Sequence, residues 1–229
     1  MAGSRSPTCM TLVAARAPKA GEVRVIVEAA ALNPLDAKIA LGFMQAWFPV
    51  NFPYTPGTDF AGRIDAVGDS VSDLRPRDLV FGRADPVAGG ALAEAVTLPA
   101  ALVALRPAGL DAIAAACLPT PAGIAHQALL DVLKPARGAV LLILGAGGGV
   151  GRAAVQLAAG TARVIACASH RAARDLAEAG AEIVGPDSTD LERAAEAADL
   201  VLDAPAATSR PGWWGPAAGN ARRSHRHSA

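Results

Sequence analysis

The stretch that most constrains this chain runs from Val140 to Gly151, where an unbroken aliphatic run, Val140-Leu-Leu-Ile-Leu144, ends in Gly145-Ala-Gly-Gly-Gly-Val-Gly151. A run of branched aliphatics without alternation suits a parallel strand buried on both faces, because a half-exposed strand would carry polar residues at every second position. The glycines that follow suit a turn into a helix. One lets the chain turn sharply, one lets backbone N–H groups approach a pyrophosphate, and Gly151 lets the helix lie close to the sheet. The helix N-terminus adds unpaired donors and a partial positive charge. Read strictly, the fingerprint is Ala146-x-Gly148-x-x-Gly151, with alanine where the first glycine usually stands. The residues expected at the phosphates are therefore Ala146, Gly147, Gly148, Gly149, Val150 and Gly151.

Such a pattern is weak alone, but its surroundings support it. A helical pattern, Arg152 to Ala159, ends at Gly160, and a second apolar run follows over Arg163 to Ala168. This closes a strand–helix–strand unit of about thirty residues. Selectivity for NAD asks for Asp or Glu roughly 20 residues beyond the loop, on the ribose 2′-hydroxyl. Here the second run ends in Ser169-His170-Arg171 with no acid. Arg171, backed by Arg174 and the Ser169 hydroxyl, suits the 2′-phosphate of NADP, since a guanidinium matches phosphate oxygens in bidentate fashion. The competing reading of the same residues is a solvated first helical turn with Ser169 as its N-cap.

The 229 residues allow one large or two small domains, and an apolar fraction of 52% is ample for a buried core. With a formal net charge of +0, no global field favours nucleic acid or an acidic membrane as partner. Cys9, Cys117 and Cys167 are far apart and odd in number, which speaks against a disulfide framework and a zinc cluster. A reducing cytoplasm is the expected home. No signal-peptide core opens the chain, and no apolar run approaches the roughly 20 residues of a membrane helix.

In order along the chain, Pro18 to Glu22 reads as a turn and Val23 to Ala31 as a strand. Leu32 to Asp36 reads as another turn, with Asn33 held extended by Pro34. The proline-rich residues 49 to 62 form an ordered loop that enters a strand. Arg63–Gly68, Asp78–Gly82 and Ala91–Leu98 read as short strands bounded by Gly, Pro or Asp, as in a small barrel. Helical patterns follow at Leu110–Cys117 and Ala122–Leu133. Beyond the second apolar run, the pattern gives a helix Arg171–Ala179, a strand Glu182–Gly185, a capping box Thr189-Asp-Leu-Glu192 and a strand Asp199–Asp203.

Asn33-Pro-Leu-Asp36, Pro53-Tyr-Thr-Pro-Gly-Thr-Asp59 through Gly62, Asp78-Leu-Val-Phe-Gly82, Gly90-Ala-Leu-Ala-Glu94 and Ala146 to Gly151 stand in one order and spacing. Together, over about residues 20 to 203, they resemble the medium-chain dehydrogenase/reductase superfamily, and within it the zinc-free quinone oxidoreductase (zeta-crystallin-like) branch. The resemblance implies an α/β fold: a GroES-like β-barrel domain (1–118, partial) and a Rossmann dinucleotide-binding domain (119–205, partial). Where the zinc-dependent branch carries Gly-His-Glu-x-x-Gly, this chain has Gly57-Thr-Asp-Phe-Ala-Gly62, so the ligand histidine is absent and no metal site is expected.

Without a metal, the cofactor must carry the reaction. The resemblance implies hydride transfer from NADPH to the β-carbon of a quinone or another α,β-unsaturated carbonyl, whose developing oxyanion needs a hydrogen-bond donor. Tyr54 matches a position that faces the nicotinamide pocket in this branch, and Asn33 a polar residue beside it; Thr120 is placed near the nicotinamide by resemblance alone. Each has a structural alternative. Tyr54 would otherwise anchor its loop through a backbone partner, and Asn33 would form an Asx-type turn before proline. Asp36 and Asp59 read as turn residues, and His126 as a partly buried packing residue.

After Ala206 the apolar period stops and the chain ends in Arg222-Arg-Ser-His-Arg-His-Ser. Residues 206–229 are expected to be an irregular basic tail, a frameshift or premature stop having replaced the remaining Rossmann strands. The late strand that the family uses for dimerisation is then missing, which puts the usual dimer in doubt. The rival class is a non-enzymatic remnant that binds at most NADPH or a protein partner. A nucleic-acid role for the tail has no aromatic interleaving or recognised fold behind it.

Overall fold

The computed structural model describes residues 12–186 and 189–204, together with the backbone of 221–223. The chain divides into two compact units, Met1–Cys117 and Leu118–Ala229.

In the first unit, strands β1 (Glu22–Ala31), β2 (Asp59–Val67), β3 (Leu79–Arg83), β4 (Ala95–Pro99) and β5 (Val103–Leu105) form an antiparallel sheet ordered β4-β1-β2-β3-β5. Alternation sets its faces. Val23 and Val25 of β1, Phe60 and Ile64 of β2, Val80 of β3 and Val96 and Leu98 of β4 share one core. On β2, Ala61 instead meets Ala115 and Ala116 of the short helix α2 (Ala112–Ala116). The Asp111 carboxylate caps α2 by accepting the Ala114 N–H at 2.7 Å.

The residues read from sequence as a turn, Leu32 to Asp36, instead open a helix, α1 (Pro34–Ala40). Asn33 is extended (φ −99°, ψ 155°) as Pro34 demands, but Pro34 occupies the first helical turn, where its missing N–H removes no hydrogen bond. Asp36, one turn in, closes back on the Asn33 N–H at 2.7 Å.

The second unit holds strands β6 (Val140–Leu144), β7 (Arg163–Cys167), β8 (Glu182–Val184) and β9 (Leu200–Asp203), all parallel, in the order β9-β6-β7-β8. Both faces of β6 are covered. Leu141 and Ile143 pack with α3 (Pro119–His126), α4 (Gly149–Ala158) and α5 (His170–Glu178), whereas Leu142 and Leu144 pack with α6 (Thr189–Ala197). This double burial is why the run shows no alternation. Helix α3 begins at Pro119, three residues ahead of the expected start, because prolines are tolerated in a first turn. It continues as a π-helical segment over Gln127–Leu133, closed by Lys134 in the left-handed region (φ 47°).

A short strand β10 (Ala221–Arg223) pairs antiparallel with β9, within the segment expected to be irregular. Backbone pairing to an open sheet edge needs no apolar period, so sequence gave no sign of it. The rest of that segment, with Trp213 and Trp214, lies outside the described residues, as does whatever precedes Thr189 at the expected capping box. Among the described residues, no helix is long and apolar enough to cross a membrane.

Candidate functional site

The chain reverses direction across the sheet at β6. Strands β6, β7 and β8 step outward one way with α4 and α5 on one face, and then the chain returns to β9 on the other side of β6 with α6 on the opposite face. The carboxyl ends of β6 and β9 therefore flank a topological switch point, the place where open α/β sheets bind ligands. The glycine loop leaves β6 there.

Gly145, not Ala146, makes the sharp turn: its φ is +66°, a region that costs residues with a Cβ. Ala146 is fully buried, and its N–H donates to the Cys167 carbonyl at 3.0 Å, fastening the loop to the end of β7. The fingerprint read with alanine in its first position thus keeps its turning glycine one residue earlier. Gly148 is the N-cap of α4, and the first helical bond runs from the Arg152 N–H to the Gly148 carbonyl at 2.8 Å. The N–H groups of Gly149, Val150 and Gly151 lie ahead of that bond, with no capping side chain to take them. A Cβ at Gly151 would stand 2.5 Å from both Ala146 Cα and Gly145 O, so only glycine lets α4 approach the loop this closely. Arg152 clasps the loop from outside: its Nε donates to Gly147 O at 3.1 Å and its Nη1 to Asp175 of α5 at 2.8 Å.

At the end of β7, Ser169 takes the N-cap position of α5, but its hydroxyl makes no capping bond. Ser169 and Arg171 are exposed. Arg174, expected to back them, is instead paired with Glu178 at 2.9 Å along its own helix. Thr120 sits in the first turn of α3 between Pro119 and Pro121. His126, expected to be partly buried, is exposed, because at the last residue of α3 it falls beside Ala125, which takes the inward position.

In the first unit, Asn33, Asp36 and Asp59 come together, and Tyr54 lies within reach of the Asp36 charge. Asn33 Nδ2 donates to Asp59 Oδ2 at 3.0 Å, and the Asn33 N–H to Asp36 Oδ2 at 2.7 Å. Both carboxylates have no solvent exposure. Burial, then the charges of Asp36 and Asp85, push the Tyr54 phenol above its ordinary value. The Tyr54 hydroxyl donates to Pro86 O at 2.8 Å. Sequence reasoning placed Asp36 and Asp59 as turn residues; the signal for more was two acids within a segment whose residues 39 to 58 carry no charge. Among the described residues, no group of three or more His, Cys, Asp or Glu is placed to hold a metal ion.

Comparison with known proteins agrees with this geometry. Residues 19–108 match the alcohol dehydrogenase GroES-like domain. The chain is 39% identical over 151 residues to a chloroplastic quinone-oxidoreductase homolog of Spinacia oleracea, covering 64% of this chain and 46% of that protein. It is 34% identical over 196 residues to a chloroplastic NADPH-dependent alkenal/one oxidoreductase of Arabidopsis thaliana, covering 81% and 50%. An alcohol dehydrogenase superfamily protein from Novosphingobium aromaticivorans superposes with a TM-score of 0.80 at 35% identity, over 86% of this chain and 62% of that one. A GroES-like unit followed by a parallel dinucleotide-binding sheet defines the class, and the chain belongs to the medium-chain dehydrogenase/reductase superfamily, among relatives that are quinone oxidoreductases and enoyl reductases. It spans about half the length of the curated relatives it matches.

Proposed function

We propose that this protein is an NADPH-dependent oxidoreductase that transfers a hydride to a quinone or another α,β-unsaturated carbonyl without zinc. The observation that carries the reading is the glycine loop at the β6/β9 switch point, followed by a β7 end that offers Ser169 and Arg171 and no carboxylate. The residues fit the cofactor: Gly147, Gly148 and Gly149 project no side chain over three first-turn N–H groups, and Arg171 is exposed for a 2′-phosphate. When bound, NADPH supplies two electrons and a proton as hydride. The relatives named for quinones and alkenals support the substrate class.

On the substrate, hydride addition forms the β-carbon–H bond, the C=C π pair shifts to join the α-carbon to the carbonyl carbon, and the C=O π pair moves to the oxygen as an enolate. A proton from water then completes the reduction at the α-carbon, or at the oxygen for a quinone. The chain's part is to hold a donor at that oxygen. Asn33, held by Asp36 and Asp59, and Tyr54, bonded to Pro86 O, are the candidates for that donor. Thr58, buried where the zinc-dependent branch has histidine, offers no imidazole, which supports the metal-free reading.

The test is calorimetric binding of NADPH by the 229-residue chain, with NADH as control, followed by reduction of p-benzoquinone with and without a chelator. Preferential NADPH binding with chelator-resistant turnover is expected. Binding without turnover would leave an NADPH-binding module, and no binding of either nucleotide would overturn the reading.

A further inference from the structure

We propose that Asp36 and Asp59 are positioning residues for Asn33, and that Asn33, rather than Tyr54, presents the hydrogen-bond donor to the substrate's carbonyl oxygen. This rests on the reading above. Two fully buried carboxylates from separate elements, Asp36 of α1 and Asp59 of β2, grip one asparagine at two points, its backbone N–H (2.7 Å) and its side-chain Nδ2 (3.0 Å). Asp59 Oδ2 accepts from Nδ2, so this contact fixes which end of the Asn33 amide faces it. The amide nitrogen carries two hydrogens. One is committed to Asp59, and the second remains for a ligand on a residue that is only half-buried. Tyr54 has a single hydroxyl hydrogen, and that one lies on Pro86 O.

The cost of this arrangement argues for its use. Asp36 Oδ1 is buried without a partner among the described residues, and such an atom opposes folding by an amount comparable to a lost hydrogen bond. An apolar residue at position 36 would avoid that cost but could not accept the Asn33 N–H. Pro34 fixes the backbone of Asn33 from the other side.

A double-mutant cycle on quinone turnover tests the inference, with NADPH affinity and thermal melting as controls for folding. Asn33→Ala should lower kcat about a hundredfold, the usual effect of removing one oxyanion donor. Asp59→Ala should lower kcat about tenfold in the wild-type background and not at all in Asn33→Ala, whereas Asp59→Asn, which keeps an acceptor oxygen, should recover most of the loss. Should Asp59→Ala fail to fold, Asp36→Ala takes its place in the same cycle. Additive losses, or a hundredfold loss in Tyr54→Phe with Asn33→Ala near wild type, would overturn the clamp while leaving the proposed activity intact. A wild-type chain that binds NADPH but reduces no quinone would instead overturn the activity, and this inference with it.

Discussion

The Tyr54 hydroxyl donates to the Pro86 carbonyl oxygen at 2.8 Å, and this bond ties the loop ahead of β2 to the loop that follows β3. Backbone bonds from Gly90 to Thr55 O (2.8 Å) and from Leu92 to Pro56 O (3.0 Å) complete the seam. Tyr54→Phe should therefore lower stability by about 1 kcal/mol, the net worth of one such bond. Turnover should change less than threefold. Chemical denaturation and steady-state kinetics on one preparation check both.

The raised phenol gives a second readout, because Tyr54 is the chain's one tyrosine. Its ionised form is disfavoured in the folded state, so its contribution to stability is present below the unfolded value of about 10 and is lost as pH rises through the folded value. A phenolate absorbance titration should show a single midpoint above that of the denatured chain. Coincident midpoints would place the ring in water.

At Gly151 an added Cβ meets backbone, not a movable side chain. Gly151→Ala should cost about 1–3 kcal/mol through displacement of α4 from the loop and weaken NADPH binding at least tenfold. Gly145→Ala should cost about 1–2 kcal/mol because of its left-handed φ. Thermal melting and calorimetry separate the two.

Arg171 and Arg174 should behave differently. Arg171 is exposed at the end of β7, whereas Arg174 is paired with Glu178. Loss of one charge-assisted contact to the 2′-phosphate corresponds to about a tenfold weakening for NADPH in Arg171→Ala, with NADH unchanged. Arg174→Ala should shift NADPH affinity less than threefold. Equal effects of Arg171→Ala on both nucleotides would remove the 2′-phosphate from its role.

The parallel sheet was legible because burial on both faces of β6 leaves a distinctive mark, an apolar run without alternation. The short antiparallel strands were legible through their Gly, Pro and Asp boundaries. What escaped was information carried by dihedral angles and by contacts distant in sequence. Gly145 stands one residue ahead of the fingerprint read as Ala146-x-Gly148-x-x-Gly151, and its φ reveals that it turns the chain. The Asn33–Asp59 contact spans 26 residues, so the pattern Asn-Pro-Leu-Asp read as a local turn. Its helical sense lay in the Pro at the first turn and the acid three residues after Asn33, a start signal also compatible with a turn. Strand β10 pairs through its backbone with the edge of β9, a contact between segments far apart in the chain.

Acid stability should show the mark of Glu22. Arg16 donates to its carboxylate at 2.5 and 2.8 Å, and the Lys19 N–H at 2.9 Å, so its value is lowered to about 2. The hydrogen bonds to Arg16 are the larger cause and the Lys19 N–H the next. A depressed folded-state value means that the stabilisation is present above the ordinary carboxylate range and is lost as pH falls toward 2. The pair fastens residues 16–19 to the start of β1, at an exposed position where salt screens it. Glu22→Gln should thus melt slightly below wild type at neutral pH and low salt, and the gap should close as pH falls from about 4.5 to about 2. High salt at neutral pH should close it as well. A gap that persists at both acid pH and high salt would assign the effect to packing of the side chain and not to its charge.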